Sequence, residues 1–185
     1  MAKIIFSNLT AKKEAVVKPD TLRILESAAD KASIERIYIT STIRTPKEQA
    51  EAMYKNISSG RIISYKRPGK KVTQLCLDML GKSAPKADTI EAMTNLISEL
   101  SENDERVSLH CVSEEVYATR QILDISRSII YDKAVKFIKA LAEDERVARV
   151  IQPITSSALN NIEGVSFDAD EPAIHIEIEL NEENV

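Results

Sequence analysis

Glu171-Pro172-Ala173-Ile174-His175-Ile176-Glu177-Ile178-Glu179-Leu180 alternates apolar and polar residues from Ala173 onward. Successive side chains of a strand point to opposite faces, so Ile174, Ile176, Ile178 and Leu180 share one face and Ala173, His175, Glu177 and Glu179 the other. The aliphatic face belongs to a core; the segment reads as a strand over 173–180 that turns His175 and Glu177 to a polar side. His175 is one of only two histidines, and the other, His110, stands in Val107-Ser-Leu-His-Cys111, inside a stretch 106–112 that also reads as a strand. Between them Gln121-Ile-Leu-Asp-Ile125 reads as a strand over 121–126 with Asp124 among aliphatic residues, where an ionised carboxylate is costly unless paired or metal-bound. A catalytic zinc site takes three protein ligands and leaves a fourth position for water. His110, Asp124 and His175 could supply the three. Taken singly, each is more often structural: a histidine on a half-buried strand makes ordinary hydrogen bonds, and Asp124 could cap a turn or a helix beginning near Ser128.

Outward from this strand, Arg36-Ile-Tyr-Ile-Thr-Ser41 is β-branched and alternating, hence a strand, and Lys3–Phe6 and Val147–Ile151 read as two more. Thr45-Pro46 supplies a cap and a first-position proline for a helix to about Ile57, with Arg44 at the junction. A helix near 20–32 takes Asp20 or Thr21 as its cap, and others cover about 71–81, 87–100 and 129–142 at helical spacing. Segments 58–68 and 113–119 read as loops. Strands and helices alternate without a regular βαβ period or a Gly-rich turn. The fold class is therefore α+β, a small, mostly antiparallel sheet flanked by helices. At 185 residues one domain over 1–185 is expected, with a helical insertion at about 58–105 and a short acidic tail at 181–185.

A net charge of −4 gives no basic footprint and argues against nucleic acid as the partner; the cluster from Lys66-Arg67 to Lys70-Lys71 reads as a solvated loop. Cys76 and Cys111 lack Cys-x-x-Cys spacing, which points to reduced thiols and away from a disulfide framework or zinc knuckle. The first residues carry too short an apolar run for a secretory signal, and no stretch approaches a membrane span. A cytoplasmic site of synthesis is expected.

The motif blocks carry a resemblance. Ser108-Leu-His110, Ile122-Leu-Asp-Ile125 and Glu171-Pro-Ala-Ile-His175 resemble the Ser-x-His, x-Asp-Ile and Glu-Pro-Trp-His blocks of the D-alanyl-D-alanine carboxypeptidase and dipeptidase family of zinc peptidases. That group shares its fold with lysostaphin-type enzymes and the hedgehog signalling domain. Upstream, Ile39-Thr-Ser-Thr-Ile-Arg-Thr-Pro-Lys-Glu-Gln49 is similar to the family's Ser-Gly-Tyr-Arg-Thr/Ser-x-x-x-Gln block, and the four blocks keep the family's order.

The resemblance implies a hedgehog/D-Ala-D-Ala-peptidase-like fold in which His110, Asp124 and His175 bind Zn2+. It implies further that a Glu beside the last ligand activates water and that Arg44 stabilises the oxyanion or holds substrate. Glu171 stands one position farther from His175 than the family's base, so a bend at Pro172 is needed to bring it to the metal. Glu177, on the same strand face as His175, is the competing base. The implied activity is hydrolysis of a peptide bond in peptidoglycan stem peptides or related D-amino-acid peptides. A phage-encoded lytic enzyme fits the missing signal, because a holin could release it to the cell wall. The alternative is a non-catalytic phage structural or host-interaction protein that keeps the fold, with or without the metal.

Overall fold

The computed structural model of the chain describes residues 1–7, 9–61, 65, 67–103, 105–129 and 131–180. Lys66 of the basic cluster and the expected acidic tail at 181–185 lie outside the described residues. Six strands, β1 (Lys3–Phe6), β2 (Arg36–Ser41), β3 (Arg120–Ile125), β4 (Val147–Gln152), β5 (Val165–Phe167) and β6 (Ile174–Glu179), form one sheet in the order β1-β2-β3-β6-β4-β5. The helices are α1 (Ala11–Ala15), α2 (Pro19–Lys31), α3 (Pro46–Ser58), α4 (Arg67–Gly81), α5 (Lys86–Glu102), α6 (Glu114–Thr119) and α7 (Tyr131–Ala142). The chain forms two compact units, residues 1–43 with 114–185, and residues 44–113. No helix among the described residues is long and apolar enough to cross a membrane.

The first unit holds the sheet. The class is α+β, as the sequence pattern indicates, but the expected mostly antiparallel sheet gives way to a mixed one. β2–β3, β3–β6 and β6–β4 run antiparallel, while β1–β2 and β4–β5 run parallel. The parallel pairs arise because α2 separates β1 from β2 and a 3-10 turn at Ser157–Leu159 lies between β4 and β5, so each second strand returns in the direction of the first. Ile174, Ile176 and Ile178 of β6, Leu123 and Ile125 of β3 and Ile37 and Ile39 of β2 pack on one face with Leu25 of α2 and Phe137, Ile138 and Leu141 of α7. Each such side chain, fully withdrawn from water, contributes roughly 1.5–3 kcal/mol. One face of the sheet is thereby committed to the core. Its other face carries the polar members of the same strands.

The cap expected at Asp20 or Thr21 lies elsewhere: α2 starts at Pro19 after Lys18, which offers no side-chain cap. Thr21 is instead fully buried beside Gln121, whose Oε1 accepts the Lys18 backbone N–H at 2.9 Å. Sequence spacing registers the polar residue but not the buried glutamine that claims the neighbouring backbone.

The unit of 44–113 is helical, with Ala50 and Met53 of α3, Val72 and Cys76 of α4, and Met93 and Ile97 of α5 forming a core of its own. The junction Thr45-Pro46 does what its chemistry suggests: Thr45 accepts from the Glu48 backbone N–H and Glu48 from that of Thr45, a reciprocal capping box with proline in the first turn. Cys76 and Cys111 are both free, buried thiols, and burial raises both thiol pKa values.

Candidate metal centre

Strand register assembles most of the site. β3 and β6 pair antiparallel with Asp124 opposite His175 and Ile122 opposite Glu177. β2 adds Ser41 opposite Asp124, and β4 adds Ile151 opposite His175 and Arg149 opposite Glu177. Both flanking pairings slip by one residue, β2 between Ile39 and Ser41 and β4 between Val147 and Arg149. Such bulges re-aim side chains beside them. Without the second, Ala148 and not Arg149 would face Glu177.

Asp124, His175 and Glu177 are buried on the face of the sheet opposite the aliphatic core. His175 Nδ1 lies 3.1 Å from Asp124 Oδ1, and its Nε2 lies 3.6 Å from Glu177 Oε1. Glu177 is held from the flanks as well: Arg149 Nη1 donates to Oε1 at 3.2 Å, and Arg120 Nε stands 3.5 Å from Oε2. Arg120 in turn donates from Nη2 to Glu179 Oε1 at 2.6 Å. Burial pulls the His175 pKa down, but the two carboxylates outweigh it and push it up to about 9. The imidazole beside Glu177 and the two arginines hold that carboxyl below its ordinary range against the opposing effect of burial.

His110 and Arg44 belong to the unit of 44–113. The expected strand over 106–112 is absent, and His110 sits in a turn instead: the Cys111 N–H donates to the Ser108 carbonyl at 3.1 Å, and the His110 N–H to Ser108 Oγ at 3.3 Å. Ser108 thus offers local acceptors that outcompete a ladder. The His110 carbonyl accepts the Arg44 backbone N–H at 2.8 Å, and Arg44 Nη1 donates to the buried Gln49 Oε1 at 3.2 Å. The expected loop at 113–119 contains α6, whose first turn carries Glu114 and Glu115, the charge that a helix N-terminus favours. Tyr117 of α6 is buried and donates from its hydroxyl to the Ile122 carbonyl at 3.3 Å.

Glu171 stands half-buried just before the bend at Pro172–Ala173 that leads into β6, its N–H donating to the Asp168 carbonyl at 3.2 Å. Of the sequence-derived residues, Asp124, His175 and Glu177 share one sheet face, Arg44 meets His110 through a backbone hydrogen bond, and Glu171 stands just before the bend at Pro172–Ala173. Sequence reasoning missed Arg120, Arg149 and Tyr117. Arg149 inside the strand pattern Val147–Gln152 was the available signal, but its partner depends on the bulge.

As buried groups that each offer one ligand atom, His110, Asp124 and His175 are the candidate donor set for a metal ion among the described residues. Two imidazoles and a carboxylate suit a borderline-soft divalent cation. The 3.1 Å between Nδ1 and Oδ1 fits a shared ion as well as a hydrogen bond, since bonds of 2.0–2.1 Å in a tetrahedron place neighbouring ligand atoms about 3.3 Å apart. Comparison with known proteins adds no relative: no family model, no curated protein and no solved structure matches the chain.

Proposed function

We propose that this protein is a zinc-dependent, peptidase-like domain of hedgehog/D-Ala-D-Ala-peptidase type whose substrate is a peptidoglycan stem peptide or a related D-amino-acid peptide. Its metal ligands are His110, Asp124 and His175. The observation that carries the reading is the register pairing of Asp124 with His175, buried on the polar sheet face with Nδ1 and Oδ1 3.1 Å apart. His110 is the third ligand that the resemblance implies, and it is buried as the other two are.

Zinc held there supplies Lewis acidity toward a carbonyl oxygen and makes water nucleophilic near neutral pH. The remaining work falls to the chain's own groups. Arg44 presents a planar guanidinium, oriented by Gln49, for the negative charge that develops on the scissile carbonyl oxygen. Glu171 would take a proton from the attacking water as its oxygen bonds to the carbonyl carbon, and return it to the amine nitrogen as the peptide C–N bond breaks. Glu177 is poorly suited to that role, because a carboxylate held below its ordinary pKa by one imidazole and two guanidinium groups is a weak base.

The same Glu177 network favours one rival, a non-catalytic phage structural or host-interaction protein that retains the metal. His175 and Glu177 already satisfy each other's charge, as a purely structural cluster would. The deciding experiment measures metal in protein purified without a polyhistidine tag, then incubates zinc-loaded protein with muropeptides and D-Ala-D-Ala peptides. One zinc per chain, lost in His110→Ala and His175→Ala, with amine release lost in Glu171→Gln, is the expected result. Less than half an equivalent of zinc with no change in melting would remove the metal reading. Full zinc with every peptide uncut would select the non-catalytic reading.

A further inference from the structure

The His175 ring meets a carboxylate at each nitrogen, and the two carboxylates are held differently. Asp124 comes from β3 directly opposite in the register. Glu177 lies two residues along β6 on the same face, clamped by Arg149 from β4 and Arg120 from β3. A histidine that ligates a metal through one nitrogen almost always gives its second N–H to a carboxylate, carbonyl or water, which fixes its tautomer and ring orientation.

We propose that Glu177 is a positioning residue that, anchored by Arg149 and Arg120, holds the His175 ring with Nε2–H toward itself and Nδ1 toward Asp124, so that Nδ1 is the atom offered to the metal. The inference rests on the reading of His175 and Asp124 as ligands. Three features of the fold converge on it. Nδ1 is the nitrogen beside Asp124 at 3.1 Å, whereas Nε2 is the nitrogen beside Glu177 at 3.6 Å, a charge contact that a small side-chain shift turns into a hydrogen bond. The bulge at Val147–Arg149 brings Arg149 opposite Glu177. Arg120, tied to Glu179 at 2.6 Å, closes the other oxygen, so Glu177 cannot swing away from the ring without breaking two ion pairs.

The test compares wild type, Glu177→Gln and Arg149→Gln, zinc-free and zinc-loaded, by long-range nitrogen NMR of the His175 imidazole and by zinc competition against a chromophoric chelator. In zinc-loaded wild type, Nδ1 should carry the metal shift and Nε2 the proton. Glu177→Gln should weaken zinc about 10–100-fold while keeping one equivalent at saturation. Arg149→Gln, which leaves the carboxylate in place but loosens it, should weaken zinc by a smaller factor and broaden the Nε2 signal. It carries the comparison if Glu177→Gln fails to fold. A metal shift on Nε2, or unchanged zinc affinity in the folded variants with peptide hydrolysis lost, would overturn the assignment. If wild type binds no zinc, the ligand reading fails, and the zinc-free spectra then decide Glu177 alone. A His175 ring whose nitrogen shifts are identical in wild type and both variants would sink the assignment; a changed Nε2 shift would sustain its positioning role.

Discussion

An ionised carboxylate in the middle of an aliphatic strand needs a partner, and Asp124 has one in His175, its direct neighbour across the β3–β6 ladder. Removing one member of such a buried pair leaves the other charge uncompensated. Asp124→Ala should therefore lower stability by roughly 3 kcal/mol, read as a lower urea midpoint at an unchanged slope; a loss under about 1 kcal/mol would show that the pair is not held as described. Arg44 provides the contrasting case. Its guanidinium meets Gln49, while its backbone N–H, which any residue supplies, holds the His110 carbonyl. Arg44→Ala should leave zinc binding intact and weaken peptide turnover at least tenfold, with poor rescue by Arg44→Lys because lysine lacks the planar fork. A loss of zinc in Arg44→Ala would reassign the side chain to the architecture of the His110 turn. At this scale the sequence was informative where a residue type contradicted its surroundings, as Asp124 and His175 do. It was silent on Arg120 and Arg149, whose meaning depends on which strands stand beside β6.

The bulge in β4 is an element-level device, and Gly164 guards it. Gly164 has φ +74°, a conformation that L side chains rarely adopt, and a Cβ built there would stand 3.3 Å from the carbonyl oxygen of Ala148, the extra residue of the bulge. Its own carbonyl accepts the Val150 N–H at 2.8 Å. Gly164→Ala should cost more than about 1 kcal/mol and weaken zinc by disturbing Arg149; an unchanged midpoint would mean that the turn relaxes freely. The turn from α7 into β4 gives a pH signature. Asp144 accepts from Arg146 Nε at 2.8 Å, from Nη2 at 2.7 Å and from the Arg146 backbone N–H at 3.1 Å, and these bonds lower its pKa. A carboxyl lowered on folding adds stability that is present above its unfolded pKa of about 3.9 and lost as pH falls through the folded value. With both side chains partly in solvent the contribution is under about 1 kcal/mol. Wild type should exceed Asp144→Asn by that small constant margin from pH 5 to 7, with the gap closing below about pH 4; a gap that widens on acidification would contradict the sign. Elements with strong local chemistry, such as α3 with its capping box, were legible from sequence. The 106–112 stretch was not, because Val107, Leu109 and Cys111 alternate like a strand while Ser108 captures the backbone in a turn. β5, three residues long, is too short for periodicity to register, and it accounts for one of the two parallel pairings that the sequence did not reveal.

At the scale of the whole molecule, two hydrophobic cores are built from different parts of the chain, one around β2, β3, β6, α2 and α7 and the other around α3, α4 and α5. The α+β class could be read from the elements, because each core announces itself as an apolar stripe. The division between units could not, because it depends on which stripes pack together. Asp124 and His175 both belong to the unit that holds the sheet. An ion that binds only the folded state stabilises it by about 2.7 kcal/mol when free metal is one hundred times its Kd. Hydrogen exchange should therefore show zinc slowing the slowest amides of β3 and β6, around Leu123 and Ile176, and His175→Ala should abolish that gain. Exchange at Leu123 and Ile176 that zinc leaves unchanged in wild type would leave Asp124 and His175 to be explained as a buried ion pair.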